Sequence, residues 1–275
     1  MKTIITAAIN GPTLHRGLCS TVPYTPREIA EEAERAWSAG ASVVHVASRE
    51  DGGSLSYRVE RHREVMAAIR ERSPVLVSMS TAAFGVGLEE RSAVLEARPD
   101  LALLPIGSAA VARYSPRQKA FDYDLVFANP FSDVVALAAR ATDFGVRPIV
   151  ACHDLGPIHA VPNLVDMGAL TPGTPHALQL GLTGGMPANP QALIRMTECI
   201  AGPWSVSGSG SWPLLAGALA LGGHLRVGFE DGWTLPDGST ADSNGALVEA
   251  AVIICVAVGS QVADVDDARR ILGLG

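Results

Sequence analysis

No apolar run in this chain reaches membrane-spanning length without meeting a glycine, a proline or a charge, so no transmembrane helix is expected. The opening stretch, Met1 to Ile9, is too short for the hydrophobic region of a secretory signal, and no stop-transfer pattern follows it. Cysteines are few: Cys19, Cys152, Cys199 and Cys255 lie far apart, and none pairs at a metal-site spacing. They read as reduced, mostly buried thiols, which points to the cytoplasm. Lysine and arginine are scattered and the net charge is -7, so the chain lacks the basic footprint of a nucleic-acid or anionic-membrane binder. Small neutral or anionic metabolites remain as partners. There is also no linker, low-complexity tract or composition break to mark a second domain.

What is present is a repeated alternation. Short apolar runs at Thr3 to Ile9, Ser42 to Ala47, Val75 to Met79, Leu101 to Leu104, Pro148 to His153, Ala177 to Leu182, Trp204 to Ser207 and around Leu225 read as eight strands. Segments of helical period separate them. Thr25-Pro26-Arg27-Glu28 is a capping box with proline at the first helical position, opening a helix that ends near Gly40. Further helices are expected over Tyr57 to Arg72, Leu88 to Ala97, Pro130 to Phe144, Ile158 to Met167, Pro190 to Ile200, Leu214 to Leu221 and Ser243 to Val258. The stretch from Leu104 to Asn129 is expected to be long and irregular. Eight strictly alternating units predict an α/β chain folded as a single (β/α)8 TIM barrel over residues 1–275, with a short C-terminal helix at Asp264 to Leu272.

In such a barrel the chemistry sits at the carboxyl ends of the strands. Those ends are unusually polar here: His45 and Arg49 after strand two, Ser80 and Thr81 after three, Ser108 after four, His153 and Asp154 after five, and the Gly208-to-Gly210 turn after seven. Strand eight is the most informative, because in Gly223-His224-Leu225-Arg226-Val227-Gly228-Phe229-Glu230-Asp231 the side chains alternate. His224, Arg226, Gly228 and Glu230 share one face; Leu225, Val227 and Phe229 share the other. An inward Arg and Glu are costly unless paired or given a ligand, so the strand is either an active-site strand or a structural ion pair that closes the barrel.

These residues carry a resemblance. Thr6-Ala7-Ala8-Ile9-Asn10-Gly11, His45-Val46-Ala47-Ser48-Arg49-Glu50-Asp51-Gly52, Ser80-Thr81, Gly184-Gly185-Met186, Gly208-Ser209-Gly210, the strand-eight signature and Asp242-Ser243-Asn244 occur in an order that resembles the β-keto acid cleavage enzymes, the 3-keto-5-aminohexanoate cleavage enzyme-like family. The resemblance spans almost the whole chain. It implies a zinc-dependent (β/α)8 barrel, a small-molecule β-keto acid as substrate, acetyl-CoA as co-substrate, acetoacetate and a new acyl-CoA as products, and a homo-oligomer. By the same resemblance His45 and Glu230 are candidate ligands of zinc or another divalent cation. Arg226 and Asp231 fall where an Arg–Asp pair assists proton abstraction, and Ser80 falls where a hydroxyl binds the substrate carboxylate. Thr81, Ser108, Gly208 and Gly210 complete the candidate substrate-binding set. The chemistry is coherent: a metal polarises the keto oxygen, a carboxylate generates the carbanion of acetyl-CoA, and fixed donors stabilise the alkoxide.

Departures from the family pattern are equally specific. The second His of the metal pair is Ala47, whereas catalytic zinc keeps three protein ligands. His153 shares a face with Ile149 and Ala151 and is the candidate replacement ligand; the alternative is a hydrogen bond to Asp154 or to a neighbouring strand end. Ser211 replaces a basic residue expected near the CoA phosphates, Pro105 replaces an Asn, and Thr13 and Ala151 stand where members acting on aminated substrates carry acids. Two functions follow: an acyltransferase or carbon–carbon lyase with an altered metal site, or a barrel homologue that binds a small carboxylate or runs other chemistry.

Overall fold

The computed structural model describes residues 2–208 and 210–275; Met1 and Ser209, the centre of the Gly208-to-Gly210 turn, lie outside the described residues. The eight barrel strands are Ile5–Ala8, Val43–Val46, Leu76–Ser80, Leu101–Pro105, Arg147–Cys152, His176–Gln179, Trp204–Ser207 and His224–Val227. They pair in parallel in chain order, and the eighth closes on the first with Leu225 opposite Ile5 and Arg226 opposite Thr6. The predicted TIM barrel is the observed fold.

Helices follow each strand: α1 Pro26–Ser38, α2 Val59–Arg72, α3 Leu88–Glu96, α4 Phe131–Asp143, α5 Leu155–Asp166, α6 Pro190–Thr197, α7 Trp212–Ala220 and α8 Asn244–Ala257, with α9 Val265–Leu272 at the end. The predicted capping box forms. The Glu28 backbone N–H donates to Thr25 Oγ1 at 3.2 Å, and Glu28 Oε2 accepts from the Thr25 N–H at 2.9 Å. Among the described residues no helix is long and apolar enough to cross a membrane.

Strand alternation divides the interior into two cores. Outward-facing Ile5, Val44, Val77, Leu104, Cys152 and Leu225 pack against the helices. Inward-facing Ile4, Val43, Leu76 and Leu101 meet Ala268 and Leu272 of α9, which plugs the amino end of the barrel. A second inward layer, Leu103, Ala151 and Ala177, lies nearer the carboxyl end. The apolar side chains thus fill the lower barrel and leave the upper rim to polar ones.

Two features differ from the expectation. The first apolar run breaks at Ile4: Lys2–Thr3 pairs instead with Gln261–Val262, and only Ile5–Ala8 joins the barrel. More consequentially, the stretch after the fourth strand is an antiparallel hairpin, Ala109–Ser115 with Ala120–Phe127, bulged between Arg113 and Tyr114. An isolated two-stranded ribbon is marginal in water. This one is anchored at the rim, where Ala112 bridges Thr183 and Phe127 is buried.

Candidate active site

The eighth strand ends at Val227, and the turn that follows is held from both sides. Phe229 is fully buried, its backbone N–H donates to Asn244 Oδ1 at 2.9 Å, and the Glu230 N–H donates to the Ala8 carbonyl at 3.2 Å. Asn244 is itself fixed, because Glu32 Oε2 accepts from both its backbone and its side-chain nitrogen at 3.0 Å. This anchoring aims Glu230 and Asp231 back over the barrel mouth. Gly11, at φ +43°, passes so close that a Cβ there would fall 2.3 Å from Glu230 Cγ, so the first and eighth strand ends meet without a side chain between them.

Arg226 lies at the centre. Its Nε donates to Asp231 Oδ2 at 2.8 Å, and its Nη2 lies 2.9 Å from Glu230 Oε2. The guanidinium is 4% exposed and the two carboxylates 14–15%. Burial alone would discharge Arg226, but Asp231 and Glu230 outweigh it and keep it a cation. Burial raises the Asp231 pKa above the ordinary aspartate range, with Arg226 opposing and Glu230 reinforcing the rise. Two carboxylates against one guanidinium leave an excess negative charge at the floor of the rim.

His45 faces this group from the second strand. Its Nε2 is 3.9 Å from Glu230 Oε2, and its Nδ1 is 3.0 Å from Ser78 Oγ. Burial, then the nearby Arg226 charge, push its pKa well below the usual imidazole range, so it is neutral and free to offer a lone pair. Beside it, Asn10 clamps the Ala47 backbone, accepting from its N–H at 2.9 Å and donating to its carbonyl at 3.0 Å. Arg49 ties down the Asn10-to-Leu14 loop through the carbonyls of Asn10, Gly11 and Leu14.

A cleft of about 200 Å³ opens above these groups; Glu230, Asp231, Ser80, Ser207, His153, Gln179 and Thr13 supply its polar lining. Ser80 Oγ accepts from the Ala82 N–H at 2.9 Å, which leaves its hydroxyl proton for a ligand. Thr81 and Ser108 turn away into structural bonds: Thr81 Oγ1 donates to the Leu103 carbonyl at 3.2 Å, and Ser108 Oγ accepts from the Asn129 N–H at 2.9 Å. Gly208 packs on Leu214 of α7, and Gly210 adopts φ +79° in the turn before it. The structure therefore gathers Arg226, Glu230, Asp231, His45, His153 and Ser80 at one rim.

His153 lines the same cleft as Glu230, with its Nδ1 buried and unpartnered. Burial lowers its pKa, opposed by a hydrogen bond with the Gln179 backbone. Yet among the described residues no group of three or more His, Cys, Asp or Glu is arranged to hold a metal ion. The donors that do face each other are His45 Nε2 and Glu230 Oε2, 3.9 Å apart, and that carboxylate oxygen is buried with Arg226 Nη2 2.9 Å on its other side. The pair fits a divalent cation held at two points, with water or substrate completing its shell, rather than the three-ligand set of catalytic zinc.

A (β/α)8 barrel with a buried Arg–Glu–Asp group at its carboxyl rim carries its charged groups where barrel enzymes place their chemistry. The chain belongs to the beta-keto acid cleavage enzyme family, whose profile it matches over residues 2–274. It is 34% identical to the 3-keto-5-aminohexanoate cleavage enzyme of Fusobacterium nucleatum subsp. nucleatum, an alignment covering 99% of this chain and 98% of that one. Identity is 30% to the 3-oxoadipate:acetyl-CoA acetyltransferase of Cupriavidus necator, over 98% of this chain and 94% of that one. Among solved structures the binary complex of ObcA with oxaloacetate shares the fold, with a TM-score of 0.72 at 18% identity over 93% of this chain and 68% of that one.

Several residues that hold the site were not assigned roles from sequence. Ser78 sits inside an apolar run, and its only signal is that it is polar at an inward parity. Asn10 and Asn244 stand within the recognised motifs, and their roles, clamping Ala47 and anchoring Phe229, appear only in three dimensions.

Proposed function

We propose that this protein is an enzyme exchanging an acyl group between a β-keto acid and acetyl-CoA, giving acetoacetate and a new acyl-CoA, and that residues 1–275 act as one barrel domain in a cytoplasmic homo-oligomer. The observation that carries this reading is the buried Arg226–Asp231 pair beside Glu230 at the floor of the rim cleft. Relatives named for acetyl-CoA transfers of 3-oxoadipate and of 3,5-dioxohexanoate support acetyl-CoA as co-substrate.

Atom balance corrects one expectation. Acetoacetate contains the acetyl carbon of acetyl-CoA joined to the carboxymethyl group of the keto acid, so the carbon that must lose a proton is C2 of the keto acid, not the acetyl methyl. Asp231, desolvated and with a raised pKa, is the base for that proton, and Arg226 fixes its orientation and offsets the rise of negative charge. Ser80 presents its hydroxyl proton to the substrate carboxylate. The C2 carbanion adds to the thioester carbonyl and displaces the CoA thiolate. The thiolate then attacks the keto carbon and cleaves its bond to C2, returning the electron pair, with a proton from Asp231, to C2 of the departing acetoacetate. A divalent cation held by His45 and Glu230 would polarise the keto oxygen.

The test is incubation with acetyl-CoA and a panel of β-keto acids, with acetoacetate and acyl-CoA read by mass spectrometry. Stoichiometric appearance of both is expected. Tight binding of small carboxylates without either product would favour the ligand-binding alternative.

A further inference from the structure

Away from the eighth strand that carries Glu230 and Asp231, the lining of the cleft includes a run of apolar side chains. Pro105 ends the fourth strand, Ala151 faces inward from the fifth, Leu182 follows the sixth, and Phe84 follows the third. Val111 and Phe127 come from the hairpin. Phe84 and Phe127 meet edge to face with centroids 5.4 Å apart, a preferred and orienting geometry. Where Gly184 passes beneath the hairpin, a Cβ would fall 2.7 Å from the Ala110 carbonyl, so the ribbon is seated on the rim by direct backbone approach.

Among the described residues no Lys or Arg side chain lines this cleft, and its two carboxylates share the single guanidinium of Arg226. Any charged group seated against this wall would lose its hydration, and a second carboxylate would also face the excess negative charge of the rim, whereas an alkyl group would gain contact with six apolar side chains.

Resting on the acyl exchange proposed above, we infer that the substrate is a β-keto acid whose acyl tail is uncharged and apolar, seated against Pro105, Ala151 and Leu182 beneath the Val111–Phe127 face of the hairpin. The hairpin is then the specificity element of this barrel. A tail carrying an ammonium or a second carboxylate is disfavoured by the loss of its hydration against these apolar side chains, the carboxylate further by the negative charge of the rim.

The experiment compares kcat/KM with acetyl-CoA for 3-oxohexanoate, 3-oxoadipate and 5-amino-3-oxohexanoate, and measures binding of each acid by calorimetry without acetyl-CoA. The propyl-tailed acid should exceed both charged acids by ~100-fold or more, as expected for uncompensated burial of a charge. Phe127→Ala should lower kcat/KM for 3-oxohexanoate more than for either charged acid, and Ala151→Asp should raise kcat/KM for the amino acid substrate relative to the other two. Equal or better turnover of either charged acid by the unaltered protein overturns the inference. Absence of acetoacetate from all three overturns the reaction itself; binding then decides the tail, with preference for 3-oxohexanoate supporting the apolar wall as its seat and equal binding of a charged acid refuting it.

Discussion

Arg226 and Asp231 stand five residues apart across the turn that ends the eighth strand, and Nε of one donates to Oδ2 of the other at 2.8 Å. The same guanidinium reaches Glu230 at 2.9 Å, so a single buried cation positions both rim carboxylates. Asp231→Asn should keep the fold and the KM for substrate while lowering kcat by about 10²–10⁴-fold, the usual worth of a positioned base. Arg226→Ala should abolish turnover and cost about 3–5 kcal/mol of stability, because it strands two buried carboxylates. Steady-state kinetics paired with urea unfolding separates the two variants; wild-type rates in both would leave the pair a structural role.

The metal ligand set yields a second expectation. With Ala47 where a third donor would project, the isolated protein should carry less than one equivalent of zinc, and dialysis against chelator should strip it readily. Ala47→His should raise the bound metal toward one equivalent, measured by elemental analysis. His153→Ala tests the tentative third ligand directly: a fall in bound metal assigns it, and no change removes it.

Asn244 supports a prediction about stability and catalysis together. Its side chain accepts from the Phe229 N–H, donates to the Ile9 carbonyl at 3.2 Å, and meets Glu32. Asn244→Ala should cost about 1–3 kcal/mol for each buried group left unsatisfied. It should also reduce kcat, because the turn carrying Glu230 and Asp231 loses its anchor. Denaturant melts and kinetics on one sample would show whether the two losses travel together.

Acid stability follows from the buried histidines. Burial lowers the pKa of His62 and of His224 to about 4. An unfolded imidazole titrates near 6.5, so between pH 6.5 and 4 the unfolded chain binds more protons and stability falls as pH falls. The loss approaches about 3 kcal/mol for each imidazole by pH 4. The melting temperature should therefore decline through that window, and His62→Gln should flatten part of the decline.

How much of this was legible beforehand depends on where each residue draws its partners. The eight strands and the α1 cap are local, written in alternation and in Thr25 and Glu28, so they are legible from sequence alone. The inward parity of His45, Arg226 and His153 followed from the same alternation. The hairpin was missed because its residues alternate without a deep core to match: seven of the eight positions in Ala120–Phe127 are exposed. A twenty-residue structureless loop in a compact barrel is itself improbable, and that length was the available signal. The unfilled third ligand position was visible as Ala47, but the way Arg226 occupies the neighbouring Glu230 oxygen is a contact between side chains and could not be read from spacing.

The pairing of His224–Val227 with Ile5–Ala8 has a consequence for how the enzyme comes into being. The first barrel strand to leave the ribosome waits for the last, and until that partner emerges the nascent sheet has two open edges able to recruit other chains. Glu230 reaches its place only on the Ala8 carbonyl and against Gly11, so catalytic competence arises with ring closure and not before. Appearance of activity during refolding would therefore time the closure step itself.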